Sequence, residues 1–435
     1  MTFGKVYANC NVIDVTDGCK VLEGTDIFVK DGRIAAVKPH GKCPDGWQTR
    51  DMNGAYAVPG LVNLHVHLFG TGMPSKVISG GSAQKAVLKM LYTPIGKFVV
   101  SRLVASAAKQ QLMSGVTTLR AVGDFRNSDI ELAAKLKAGK GAARGLRMFA
   151  SGPAITVAGG HGAGTFALVA DTPEALAALA EANIDAGADF VKICITGGVT
   201  DAKKRGEPGE LKMTAEQVKA VCDVAHARGK KVAAHIQSKE GMEIAAKCGV
   251  DTVEHGALMS DNAVALFRER GGAVVATFSP ALPYFKMPPE VTKLGEDCAY
   301  NSEIVLNGMK DAAHQAADNG MYVGLGTDAS CPFCTQYGTW RELVYFNRAG
   351  GFTPEQSLYT ATLGNAKILG IGDETGSIEA GKSADIVFTE ANPVRDLTAL
   401  SNVSCVVAQG REIANPKVKR NKKIDKLLDE MTKEI

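Results

Sequence analysis

The sequence predicts an α/β protein, a (β/α)₈ barrel carrying a small β-sandwich domain formed by both chain termini. Three observations predict it. The middle of the chain alternates short apolar runs with helical patterns, and the two ends share a different strand-and-turn texture. The third is that five of the eight histidines fall at or just after the ends of apolar runs. At the N-terminal end, VYANCNVIDV and TDIFVKDGRIAAVKP are short alternating runs, with Asp31-Gly32 as a hairpin signal. The same texture returns in ADIVFTEAN and SCVVAQGREI, the latter with Gln409-Gly410 between two short strands. Residues 1–57 plus 372–435 are therefore expected to form one discontinuous β domain around a barrel spanning 58–371.

Eight strand candidates follow one another within that barrel: GLVNLHVH, VTTLRAV, LRMFASG, DFVKICI, KKVAAHI, DTVEHG, GAVVATF and YVGLGTD. Segments such as TPEALAALAEANIDAG and TAEQVKAVCDVAHARG lie between them. Each opens on a Thr suited to N-capping, carries apolar residues at helical spacing and ends on Gly. A doubly wound open sheet is the alternative, but no GxGxxG or phosphate loop follows the first strand. The stretch 69–101 reads as an insertion after strand one, where a barrel enzyme often keeps a substrate-covering loop. The tail KVKRNKKIDKLLDEMTKEI is a charged amphipathic helix, its basic start read as a solvated or subunit-packing face rather than a nucleic-acid patch.

Composition excludes more than it identifies. The 435 residues carry 49 basic and 46 acidic side chains, a net charge of +3 that gives no chain-wide pull toward nucleic acid or acidic membrane. The start, MTFGKVYANC, lacks the pattern of a secretory signal, and no apolar run approaches membrane-spanning length. Ten cysteines are scattered without the regularity of a disulfide framework, so a cytoplasmic, reduced protein is expected. Cys331 and Cys334 form one CxxC, and no second pair accompanies it to complete a zinc site.

The histidines carry the chemistry. His65 and His67 end strand one, and a separation of two puts both side chains on the same face of a strand. His235 ends strand five, His255 ends strand six, and His161 lies in the glycine-rich GGHG loop after strand three. Asp328 ends strand eight, and Lys192 lies within strand four in FVKICITGG. Side chains from several strands thus converge on the C-terminal mouth of a barrel, the face where barrel chemistry occurs. Such a set suits a borderline metal, Zn²⁺ first, with Fe²⁺, Mn²⁺ or Co²⁺ as alternatives. His40, His226 and His314 take the ordinary structural reading. Lys192 has two readings, a salt-bridged barrel lysine or a lysine carboxylated by CO₂ into an anionic ligand, and residue chemistry alone leaves both open.

The ordered set VPGLVNLHVH, VKICITGG, AHI, VEHG and GTDA, closed by GSIEAGKSADIVF, resembles the amidohydrolase superfamily over nearly the whole chain. The strand-four Lys followed by Gly-Gly and the GGHG loop resemble its prolidase-like branch of zinc dipeptidases and carboxypeptidases. The resemblance implies two Zn²⁺ per chain. His65, His67 and Asp328 would hold the buried metal, His235 and His255 the outer one, and carboxylated Lys192 would bridge them. It also implies a homo-oligomer.

The implied reaction is hydrolysis of a C–N bond in a small molecule. Asp328 would take the proton of the attacking water and hand it to the leaving amine, while His161 would stabilise the oxyanion. The chain departs from the peptidase pattern after strand seven, where Ser279-Pro280 stand in place of a Tyr and Tyr284 follows. It departs again after strand eight, where Tyr337-Gly338 replace His-Gly. Ser279, Tyr284 and Tyr337 are the expected pocket residues, and they leave a dipeptidase, an N-acyl-amino-acid hydrolase and a cyclic-amide hydrolase of the imidazolone or hydantoin kind in contention. A heterocycle deaminase would want a Glu three residues after His235, where Ser238 stands. A non-catalytic scaffold would be expected to lose ligands, and all are present.

Overall fold

The structure is a computed structural model that describes residues 4–74, 87, 89–91 and 93–435. The expected substrate-covering insertion at 69–101 lies partly outside the described residues. The eight barrel strands are Leu61–Val66, Val116–Ala121, Arg147–Ala150, Val191–Cys194, Val232–Ile236, Thr252–His255, Ala273–Ala276 and Tyr322–Leu325. Strand three is broken. Gly152 takes φ +69°, Pro153 has no N–H to give, and the chain resumes as Ala154–Thr156. The first half pairs with strand two and the second with strand four, so the break hands the ladder across.

The barrel closes through backbone bonds. Asp189 N–H donates to Ala150 O at 2.8 Å beside the break, and Asp328 N–H donates to His65 O at 2.8 Å between strands eight and one. His67 N–H then reaches Ala329 O at 2.9 Å. This approach requires Gly326, because a Cβ there would sit 2.3 Å from the His65 Cβ.

Alternation along the strands sorts side chains between two environments. Val191, Ile193, Val232, Ala234, Ile236 and Val253 join helix residues Leu176, Val218 and Met242 in the outer apolar layer. Lys192 and His235 consequently point into the barrel. The outer helices begin as the sequence predicts. Thr172 caps Pro173–Asp185, Thr214 forms a capping box with Gln217 ahead of Ala215–Ala227, and Ser238 caps Lys239–Cys248.

Both termini build one mixed sheet of eight strands. Its N- and C-terminal halves join where Tyr56–Pro59 pairs antiparallel with Ile386–Thr389, over a core that includes Tyr7, Ile27, Ile386 and Phe388. Arg147 ties this sheet to the barrel, reaching Asp385 and Glu374 at 3.0 Å each. The C-terminal helix Lys422–Thr432 is amphipathic as expected: its apolar side buries Ile424, Leu428 and Met431 in the main core of this chain, while Lys422 and Lys423 at its basic start stay exposed. Among the described residues, no helix is long and apolar enough to cross a membrane.

Candidate metal centre

The pleat of strand one brings Asn63, His65 and His67 inward while Val62 and Leu64 pack outside against Ala366 and Ile368. His65 and His67 lie on the barrel mouth, and the Nε2 of each is 3.5 Å from Asp328 Oδ1. Ligand atoms of His65, His255 and Asp328 fall within 4.8 Å of one another and form a possible metal site. His255 and His235 ring centroids are 4.5 Å apart, and His235 stacks on His161 at 4.1 Å with rings 10° from parallel. Three strands and one loop therefore bring all five candidate imidazoles together, while Lys192 lies buried inside the same barrel.

Strand six shows how the mouth is completed. Regular alternation turns Thr252 and Glu254 inward and would turn His255 out. His255 instead takes φ +70°, which rotates it back to the cluster, and Asp328, beyond the end of strand eight, takes φ +50°.

Each imidazole is oriented by a partner on its other nitrogen, the arrangement typical of metal ligands. His65 Nδ1 faces Glu254 Oε2 at 2.8 Å, His67 Nδ1 faces Gly123 O at 2.6 Å, and His255 Nδ1 faces Thr277 Oγ1 at 2.7 Å. The three Nε2 atoms are left for the cavity. His235 is reversed, with Nε2 3.1 Å from Gly197 O and Nδ1 remaining free. Glu254 is fully buried and is held in turn by Arg120 at 2.6 Å.

Burial, aided by the Lys192 charge, drives the His65 and His255 imidazoles well below their ordinary range, and burial with the neighbouring His161 does the same to His235. Burial also lowers His67. All four are thus kept in the neutral form that binds a metal. Burial would push the Asp328 carboxyl up, but His65, His67 and Lys192 outweigh it and hold it down as a carboxylate. Burial lowers Lys192 against the opposing pull of Glu254. Neutral imidazoles, a carboxylate and a lysine in one enclosed mouth fit a divalent metal centre.

His161 is half-buried, and its Nδ1 hydrogen-bonds the Asp201 carboxylate, which also accepts Gly198 N–H at 3.2 Å. Of the expected pocket residues, Tyr284 is buried against Phe333, their ring centroids 6.4 Å apart, and burial pushes its phenol up. Ser279 turns its hydroxyl onto Glu342, and Tyr337 accepts Asn421 N–H at 2.6 Å from the start of the C-terminal helix. Those two hydroxyls are engaged elsewhere than at the imidazoles. Cys331 and Cys334 are both free thiols. Asp201, Glu254, Arg120 and Thr277 escape the sequence reading. The nearest signal was Glu254, adjacent to a candidate ligand in VEHG. His40 pairs with Asp26 at 2.8 Å, His226 with Asp251 at 2.9 Å, and His314 stacks on Phe352 with centroids 4.7 Å apart.

Comparison with known proteins agrees with this geometry. Residues 56–413 match the profile of the Amidohydrolase family. The chain is 25% identical over 421 residues to ochratoxinase of Aspergillus niger, covering 88% of this chain and 81% of that one. It is 23% identical to imidazolonepropionase of Geobacillus sp. (strain WCH70), covering 90% and 91%. A crystal structure from Bifidobacterium longum, provisionally described as a prolidase, superposes with TM-score 0.85 at 34% identity over 99% of both chains. A Xaa-Pro dipeptidase with methionine in its active site superposes with TM-score 0.79 at 28% identity, over 94% and 100%.

Proposed function

The chain belongs to the amidohydrolase family, within its prolidase-like branch, and is a hydrolase acting on C–N bonds; from that premise we propose that it cleaves a small-molecule amide as a dipeptidase or N-acyl-amino-acid hydrolase with two metals per chain. The observation that carries this reading is the convergence of His65, His67, His235 and His255 on Asp328, each imidazole neutral and oriented from its outer nitrogen. His65, His67 and Asp328 would hold one Zn²⁺ and His235 and His255 the other, with Fe²⁺, Mn²⁺ or Co²⁺ as substitutes. Lys192 would join them after its free amine adds to CO₂ and loses a proton, becoming a carbamate anion. When bound, the metals supply an acidified water and a polarised carbonyl.

The protein's own groups do the rest. Asp328 takes the proton of the attacking water and returns it to the leaving nitrogen. His161, its Nδ1 fixed by Asp201, directs Nε2 at the carbonyl oxygen as negative charge builds there. The relationship to imidazolonepropionase supports a second reading, opening of a cyclic amide at the same centre. Deamination is disfavoured because Ser238, where an acid would be needed, caps a helix by accepting Gly241 N–H at 3.4 Å.

A library of dipeptides and N-acyl-amino acids, assayed for amine release by Zn²⁺-loaded protein, tests the proposal. The expected result is turnover that D328N lowers at least about 1,000-fold, the scale of losing an essential proton carrier. Silence across the library with opening of an imidazolone or hydantoin ring would overturn it in favour of the second reading.

A further inference from the structure

Two phenylalanines border the imidazole cluster without a part in the proposed chemistry. Phe166, in the loop after the GGHG turn, has its ring centroid 5.0 Å from His67 and 5.7 Å from His161. Phe69, two residues beyond His67, lies 5.5 Å from the His67 ring and 5.8 Å from Phe166, the two phenyl planes inclined by 26°. Phe125 backs Phe69 at 4.8 Å and is buried, whereas Phe69 and Phe166 are both only partly buried.

The seat of Phe166 is built by glycine. A Cβ on Gly162 would come 2.7 Å from the ring and one on Gly123 3.3 Å, and both glycines have positive φ. Gly123 also presents the carbonyl that orients His67, at 2.6 Å. The same backbone therefore fixes a candidate metal ligand and an aromatic face beside it. Rings pack favourably against a third ring by edge or offset stacking, so a partly open pair next to the reacting groups is a surface for a planar apolar group.

We propose that Phe69 and Phe166 form a specificity wall that selects amides bearing an aromatic substituent next to the scissile bond. This rests on the amide-hydrolase reading of the site and assigns its substrate class. An aromatic side chain seated there gains over a methyl group by a selectivity of about 10- to 100-fold in kcat/KM, the scale of one well-filled apolar subsite.

Two matched pairs test it on the Zn²⁺-loaded enzyme. N-acetyl-phenylalanine against N-acetyl-alanine probes the amine side, and N-benzoyl-alanine against N-acetyl-alanine probes the acyl side. The wild type is expected to prefer the aromatic member of at least one pair by about 10-fold or more. F166L and F69L, which keep apolar volume and lose the ring, should erase most of that preference, the larger loss falling on the aromatic member of the pair. No aromatic preference in either pair, or equal loss on both members, would overturn the proposal. If no member is hydrolysed, the amide-hydrolase reading fails. The wall is then tested by calorimetric binding of N-benzoyl-alanine, where weaker binding to F166L than to wild type supports it and equal binding overturns it.

Discussion

His255 and Asp328 hold backbone conformations that L-residues rarely adopt, at φ +70° and +50°, and such positions cost on the order of 1–3 kcal/mol each. The cost is offset by what it achieves, two side chains turned onto one cavity. Part of this was legible beforehand. The parity of His65 and His67 requires them to share a face, whatever the surroundings. The rotation of His255 was not legible, because period-two reasoning points Glu254 inward, and in fact both residues serve the site. Asp201 was invisible for another reason: it meets His161 from 40 positions along the chain, and no local spacing encodes a loop-to-loop contact. Glu254 gives the prediction at this scale. E254Q keeps the shape between His65 and Arg120 but removes the charge that orients His65, so Zn²⁺ affinity measured by chelator competition should fall about 10- to 100-fold with the fold intact by circular dichroism. Unchanged affinity would remove Glu254 from the centre.

The helix Phe278–Lys286 after strand seven shows a device built from two elements. Its N-cap, Thr277, cannot cap with its own hydroxyl, which faces His255 Nδ1 at 2.7 Å. Glu342, from the helix Thr339–Arg348, supplies the missing acceptor to Phe278 N–H at 2.6 Å and Ser279 N–H at 2.8 Å. Burial pushes the Glu342 carboxyl up to about 8 from its usual 4.5. The folded chain therefore holds this proton more tightly than the unfolded one. The stabilisation is complete below about pH 4.5, declines as pH rises, and is gone above about pH 8. Between those limits wild type should lose stability relative to E342Q at up to about 1.4 kcal/mol per pH unit. Urea unfolding of both proteins at pH 5 and 8.5 measures this, and a constant difference would contradict it. The sequence predicted strand seven and expected Ser279 to line the pocket, whereas its hydroxyl is engaged by Glu342, and a cap borrowed from a residue 64 positions away carries no sequence signature.

At the scale of the molecule, hydrophobic periodicity and helix caps made the barrel readable, since each strand–helix unit repeats the same local signals. The union of both termini in one sheet was readable from texture alone. The break in strand three was less so, although Gly152-Pro153 explains it once seen. For the C-terminal helix, amphipathicity states that a face is covered, not by what, and the cover proves to be this chain's own core. The candidate centre draws on strands one, four, five, six and eight, so its metal content reports on the closed barrel as a whole. The direct measurement is the metal-to-chain ratio of wild type and K192A, by elemental analysis after loading with Zn²⁺ and bicarbonate. Two metals per wild-type chain, falling in K192A, is the predicted result. One metal per chain, unchanged by K192A, would contradict the bridged two-metal centre.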